Sequence, residues 1–470
     1  MKKLLLFIVF TFAYQLSYAA LSVQVDERSE LLSIVCRLAE YKEYVNDNVK
    51  SYTEDIDSYF APYVSLPLID YAKEIRESNG IAYDAVSSLI PFMEIKNKKV
   101  LFTQDAFKEI SEKDWRWSVN VLNKYAVLLD DFYKKTDFNR FFVKHSSLYK
   151  ITKTRFDEVI RNQINLSWFD DTFGAQNTNF HIVLNLCNGT SNYGASDEKG
   201  NYFSINGADR VDSLGIPSFQ ADNQILRTII HEFCHSYCNP ICNKYVDEML
   251  PVFDIIFPYV AKTLAKGAYS SSQALMYENL TRLATILYLS DNKRLSVSDV
   301  RRDEQRGFPW MEDLYFFYGN YRNNRDIYPD FVSFVPEYIL FMKGIANQID
   351  KVISAYENKI PRVVAVFPPN GSTVSSKIKE ASILFNVPMI LASGARDLDD
   401  DPENRKGFLR SKLPFEQSLS QNKRAISIQI NLEENTKYGC ILKTYFRSEE
   451  GYDATEEYEW KFDTKKTNID

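Results

Sequence analysis

The chain has 470 residues, 45% hydrophobic and 25% charged, with 30 Tyr and 32 Phe. That is the balance of an ordinary globular protein, long enough for roughly two or three domains with well-filled cores. The net charge of −7, with no basic cluster, argues against nucleic acid as a partner, and past the N-terminus no stretch is apolar and long enough to predict a membrane span.

Met1 to Ala19 reads as a signal peptide. Lys2 and Lys3 form the charged start, Leu4 to Ala13 the apolar run, and Ser17-Tyr18-Ala19 the small-x-small site. Cleavage near Ala19 and an exported protein, periplasmic or secreted, are expected. Asp26 to Leu129 reads as mainly helical. Leu31, Val35 and Leu38 recur at helical spacing, Phe107, Ile110 and Trp115 less regularly, and Ser78-Asn79-Gly80 marks a turn. Asp137 to Gln163 reads as more helix, with His145 as a structural or surface histidine. These helices carry no cluster of ligand-type residues and are expected to be a packing scaffold.

The texture changes at Phe180 to Cys187 (FHIVLNLC), a β-rich run. A glycine-spaced loop, Tyr193 to Gly200, leads to a second strand at Tyr202 to Ile205. His181 reads as a satisfied core or edge histidine. A small sheet here is either an ordinary hairpin or an edge on which an extended peptide can pair.

Gln224 to Cys238 (QILRTIIHEFCHSYC) follows, and the rest of the chain is organised around it. Within it, His231-Glu232-Phe233-Cys234-His235 is an HExxH pentad. On a helix, residues four apart share a face, so His231 and His235 present two imidazoles to one metal ion, and Glu232 stands beside a water on that ion. Asp222 and Asn223 are expected to cap this helix and Pro240 to end it. Zinc needs a third protein ligand, with the fourth position left to water. No histidine follows His235, so a carboxylate is the expected donor. Glu278 is the first choice, on a predicted helix from Ser271 to Leu289, and Glu248 the competitor. The plainer reading of Glu278 is an ion pair with Arg282, four residues on. Tyr328, in Asp326 to Phe331, is a candidate hydrogen-bond donor to an oxyanion.

An HExxH helix with a glutamate on a later helix resembles the gluzincin metallopeptidases. More closely, Glu30 to Tyr44 (ELLSIVCRLAEYKEY), Ile229 to Pro240 (IIHEFCHSYCNP) and Tyr277 to Ile286 (YENLTRLATI) resemble a bacterial secreted family, domain of unknown function 4932. The likeness covers roughly Leu21 to Lys359, and the pentad is its specific part. It implies a zincin-like peptidase domain with His231, His235 and Glu278 as zinc ligands and Glu232 as general base. Cys234 and Cys238 look like a local departure from the smaller or apolar residues expected there.

From Pro361 the chain reads as strands separated by turns: PRVVAVFPPNGS, then Ala381 to Phe385, Ala425 to Leu432, Gly439 to Phe446 and Tyr458 to Phe462. This spacing suggests a β-sandwich. Phe385 to Met389, Leu432 to Tyr438 and Trp460 to Thr464 resemble bacterial Ig-like domains, which implies a spacer or a module that contacts another protein or surface. The acidic run Arg396 to Asn404 reads as a solvated loop. The six cysteines at 36, 187, 234, 238, 242 and 440 allow disulfides in an exported protein, with no pairing fixed by sequence. Cys238 and Cys242 with His235 form a less favoured structural metal site.

The expected architecture is α+β: a signal peptide at 1–19, a mainly helical zincin-like domain at 20–360 with a small sheet ahead of the active-site helix, and an Ig-like β-sandwich at 361–470. The expected function is a secreted zinc-dependent metallopeptidase acting on peptide or protein. The alternatives are a non-catalytic surface or binding protein with structural zinc, and a zinc amidohydrolase acting on cell-wall material.

Overall fold

The computed structural model describes residues 20–174, 178–208, 210–220, 223–267, 269–391, 395–397, 405–409 and 417–465. The signal-peptide reading, the Asp222 cap and most of the acidic run, residues 398–404, lie outside them. The fold is mixed α and β, about half helical with several small sheets. By their internal contacts the residues divide into two compact units, one of Met1–Val246, Leu280–Arg294 and Tyr321–Val335, the other of Asp247–Asn279, Leu295–Asn320 and Pro336–Asp470.

In the first unit, strand β1 (Ala20–Gln24) leads into helices α1 (Glu27–Leu38), α2 (Lys50–Phe60), α3 (Pro67–Asn79) and α4 (Asp84–Ser87). A hairpin of β2 (Met93–Lys96) and β3 (Lys99–Phe102) interrupts the helices, which resume as α5 (Ala106–Lys113), α6 (Val119–Lys135), α7 (Phe138–Lys144), α8 (Ser146–Val159) and α9 (Ser167–Phe173). Asp26 caps α1 by accepting the Arg28 N–H, and Gly80 closes α3 at φ 70°, a left-handed conformation that costs glycine nothing. Trp115, expected on the buried stripe, is 82% exposed because α5 has already ended at Lys113.

Strands β4 (Asn179–Asn185), β5 (Asn192–Ser196) and β6 (Asn201–Gly207) join β1 in a four-stranded sheet of order β1-β4-β6-β5. β5 occupies part of the segment expected to be a loop. Its glycine and small residues hide the alternation of a strand, and pairing of Tyr193 with Ile205 and Ala195 with Phe203 creates it. β1, β4 and β6 run parallel, and β5 runs antiparallel at the edge.

Side chains alternate across the sheet. Val183, Phe203 and Ile205 join the core built on α1, α2 and α6, while Phe180 and Tyr202 turn to the other face. Buried polar groups dock α1 onto β4. Asn185 Nδ2 donates to Ser29 Oγ at 2.7 Å. Glu30, fully buried, accepts the Leu186 N–H at 2.8 Å and the Tyr52 hydroxyl at 2.9 Å.

In the second unit, α11 (Val246–Leu264), α13 (Val297–Gln305), α14 (Met311–Phe317), α15 (Gly319–Asn323), α16 (Phe331–Asn347) and α17 (Ile349–Lys359) contribute helices, α11 from Asp247, α15 as far as Asn320 and α16 from Pro336 onward. Strands begin at Val363: β7 (Val363–Phe367), β8 (Ser372–Ser375), β9 (Glu380–Phe385), β10 (Ala395–Asp397), β11 (Gln417–Leu419), β12 (Ala425–Gln429), β13 (Lys437–Leu442) and β14 (Tyr458–Lys465). They form two four-stranded sheets, β10-β13-β14-β8 and β11-β12-β9-β7. Ile383, Ile426, Tyr438 and Trp460, drawn from both, share one apolar cluster. Arg301 on α13 donates to Glu304 at 2.9 Å and to the Glu450 carbonyl at 3.1 Å, and Tyr452 donates to the same Glu304 at 2.8 Å. No helix among the described residues is long and apolar enough to cross a membrane.

Burial pushes the Glu30 carboxyl up to about 7 from an ordinary 4.5, against hydrogen bonds from Leu186 and Tyr52 that pull it down. A carboxyl raised on folding binds its proton more tightly in the folded state. Its contribution to stability is therefore complete below about 4.5 and is lost as pH rises through about 7. Glu30→Gln is expected to remove about 2 to 3 kcal/mol from the fall in unfolding free energy between pH 5 and pH 8, read by urea denaturation at both values.

Candidate metal centre

Helix α10 (Asn223–Lys244) carries the HExxH pentad. Leu226, Ile229, Ile230, Phe233, Cys234, Tyr237, Cys238 and Ile241 are buried at helical spacing. Phe233 meets Phe180 edge-on at 4.8 Å, and Tyr237 stacks on Phe173 at 4.6 Å. The helix does not stop at Pro240 as expected but runs four residues further. Pro240 is exposed, so the Ser236 carbonyl that loses its partner lies on the solvent side, while burial of Ile241 and Cys242 holds the last turn in place.

What is left of α10 is a half-buried face bearing His231, Glu232 and His235. The two imidazoles lie 4.7 Å apart at 83°. Opposite them, from Leu280 on, runs α12 (Ser272–Asp291). Leu275 to Leu289 are buried except Tyr277, on every side of α12, so each polar residue on it needs a partner. Thr285 Oγ1 gives its proton to the Thr281 carbonyl at 2.8 Å, and its oxygen lies 3.4 Å from His231 Nδ1. With its proton committed, that oxygen accepts from the imidazole. His235 Nδ1 lies 3.2 Å from both Thr281 Oγ1 and Asn239 Oδ1, and the amide oxygen can only accept. Each Nδ1 thus has an oxygen within reach, and the tautomer that carries hydrogen there is the one that leaves Nε2 a lone pair for a metal.

Glu278 stands one turn before Thr281 and Arg282 on the same helix and is 6% exposed. One ligand atom each from His231, His235 and Glu278 lie within 4.8 Å of one another, and among the described residues this is the grouping that could hold an ion. Glu248 is exposed on α11 and outside the grouping. The alternative cysteine set is also outside it. All six cysteines are free and buried, and burial pushes the Cys242 thiol up to about 12 and those of Cys234 and Cys238 higher. Such thiols stay protonated, and those of Cys234 and Cys238 pack against α12, where Thr285 and Thr281 hydrogen-bond to them.

His145 is buried, with one ring nitrogen 2.9 Å from the Phe141 carbonyl and the other 3.0 Å from Asp55. His181 lies 2.7 Å from Ser22 Oγ and stacks on Phe203 at 4.4 Å. Tyr328 is half-buried, edge-on to Phe334 at 5.0 Å, with its N–H donated to the Asn324 carbonyl at 2.9 Å.

Sequence reasoning missed Thr281, Thr285 and Asn239, which fix the rings, although Thr281 and Thr285 recur three and seven residues after Glu278 in an apolar helix. It also missed Gly194. A Cβ there would sit 3.0 Å from the Glu232 carbonyl oxygen and 3.2 Å from Glu232 Oε2. The bare backbone of β5 thus passes directly over the carboxylate. Gly194→Ala is expected to force β5 and α10 apart and cost about 1 to 3 kcal/mol in urea denaturation, whereas Ala195→Gly, one residue on, leaves that contact intact.

No curated protein matches the chain. Among solved structures, E. coli alpha-2-macroglobulin is 10% identical with a TM-score of 0.16, over 23% of this chain and 6% of that one. The N-terminal part of the bacterial S-layer protein SbsC is 11% identical with a TM-score of 0.18, over 51% of this chain and 58% of that one. The S-layer protein rSbsC(31-844) is 11% identical with a TM-score of 0.18, over 85% of this chain and 46% of that one. The chain thus spans less than two thirds of each, and likeness at this level carries no argument about fold or function. A family model, "Domain of unknown function (DUF4932)", matches residues 21–341. That span takes in the sheet, the pentad on α10 and Glu278 on α12, and the chain belongs to this family.

Proposed function

We propose that the protein is an exported zinc-dependent metallopeptidase, with a zincin-like catalytic region and an Ig-like module built from the two sheets that follow Val363. The observation that carries the reading is the convergence of His231, His235 and Glu278 to within 4.8 Å, on two helices whose threonines orient both imidazoles. Two neutral imidazoles and one carboxylate suit zinc in a catalytic site, where a fourth position is kept for water. Zinc so held supplies a water that ionises near neutrality and a Lewis acid for a carbonyl oxygen.

The chain's own residues do the rest. Glu232 accepts the water's proton and returns it to the leaving amine. Thr281, Thr285 and Asn239 keep the ligand nitrogens in the metal-binding tautomer. β5, an antiparallel edge strand over Glu232, offers backbone pairing to an extended peptide, so that a peptide bond comes to the carboxylate. Tyr328 is the proposed donor to the oxyanion.

Purified mature protein is expected to hold about one zinc per chain, by elemental analysis after dialysis, and Glu278→Ala to lose most of it. Full zinc retention in that variant would move the third ligand elsewhere. Glu232→Gln is expected to keep the metal and lose about 10²- to 10⁴-fold in peptide hydrolysis. Thr281→Val with Thr285→Val is expected to weaken zinc binding by about 10- to 100-fold in a chelator competition while the circular dichroism is unchanged.

A further inference from the structure

A groove of about 430 Å³ lies in the second unit, lined by α16, α17 and the stretch Pro309 to Asp313. That is within the range of about 300 to 1,000 Å³ for small-molecule sites. The helices α14, α16 and α17 around it are described throughout. One wall follows from the sequence. Gln348, Lys351, Val352, Ala355, Tyr356 and Lys359 recur at helical spacing and share one face of α17. Pro309, Phe341 and Ile345 make the rest of the lining apolar. Gly344, also in the lining, is required neither by a left-handed backbone nor by crowding, since a Cβ there would meet nothing within 4 Å. Glycine weakens a helix, and what this one contributes to α16 is room in the groove.

Shape selects the occupant. The face from Gln348 to Lys359 is about 17 Å long. Spread over that length, 430 Å³ leaves a cross-section of about 25 Å². A helix with its side chains is about 10 to 12 Å across and needs roughly three times that area, so a partner helix does not fit. An extended peptide is narrow enough, but its N–H and C=O groups would meet helix backbones already bonded internally. An unbranched aliphatic chain needs no polar partner and matches the apolar lining.

Charge selects its head group. Lys351 and Lys359 border the groove against one acid, Asp313. Lys359 is half-buried, with its Nζ 6.0 Å from the centre of the Tyr452 ring, which Tyr356 also meets at 6.0 Å. Lys351 is exposed and has no ion pair among the described residues. It stands with the exposed Gln348 at the opening turn of α17, where the helix dipole favours an anion. Asp350, the acid of that turn, is hydrogen-bonded to Tyr259.

We infer that this groove binds a free fatty acid, its aliphatic chain lying along α17 past Gly344 and its carboxylate held by Lys351 and Gln348. The site is independent of the metal centre and of the peptidase reading.

Calorimetric titration of the mature protein with dodecanoate, kept below its micelle concentration, tests the inference. Dodecyltrimethylammonium, with the same chain and the opposite charge, is the control. Saturable binding of one dodecanoate per chain is expected, about tenfold or more tighter than the control. Lys351→Met is expected to remove that preference, and Lys359→Met to leave it. Gly344→Leu fills the groove with a better helix former and is expected to weaken both ligands about tenfold or more. If Gly344→Leu lowers the melting temperature, Ala355→Leu, on the facing helix, carries the same expectation. No saturable binding, equal affinity for the two ligands, or binding unchanged in the filled variants overturns the site. Loss of the preference in Lys359→Met in place of Lys351→Met overturns the placement of the carboxylate. A dimer in sedimentation that Gly344→Leu dissociates overturns the fatty acid in favour of a second copy of the chain.

Discussion

Everything at the candidate centre depends on α10 being buried on most of its circumference and open on one strip. Its apolar residues lock it against Phe180 and Tyr202 of the sheet, and Cys234 and Cys238 press it onto α12. Packing of this density leaves the helix no freedom to rotate, so His231, Glu232 and His235 point one way. A site that must hold its ligands within tenths of an ångström needs such support, and here it comes from regular elements, not from loops.

The partner helix meets the same demand from the other side. α12 is buried nearly all round, which suits apolar residues and penalises Glu278, Thr281 and Thr285 unless each finds a use. The threonines orient the imidazoles, and Glu278 completes a set of three metal-type donors. The polar residues of α12 thus sit where α10 brings imidazole nitrogens to meet them. Buried polar groups in the scaffold follow the same logic: Glu30 joins α1, α2 and β4 through Leu186 and Tyr52, and Arg301 and Glu304 tie α13 to the loop around Tyr452.

The sheet contributes through its edge. The central parallel strands β4 and β6 are buried along most of their length, and the antiparallel β5 is left at the margin beside the pentad. Gly194 lets the strand approach Glu232 more closely than a side chain ordinarily allows. Glu232 therefore lies directly against the edge strand.

The helical spacing of the pentad was legible in the sequence because two histidines four apart share a face whatever surrounds them. The absence of any later histidine likewise pointed to a carboxylate, and the apolar run around Glu278 marked its helix. Strands in the last hundred residues were legible from alternation and turn residues, and both strands with strong β composition ahead of α10 were found. Tertiary contact decided what local pattern left open. β5 became a strand through pairing with β6, because Gly194 and Ala195 have little strand preference of their own. α10 outlasted Pro240 because burial beyond it outweighed one missing hydrogen bond. Glu278, and not Glu248, falls in the grouping with His231 and His235, which no local pattern distinguishes. Thr281, Thr285 and Gly194 gained their significance from neighbours distant in sequence, and no local pattern records such neighbours.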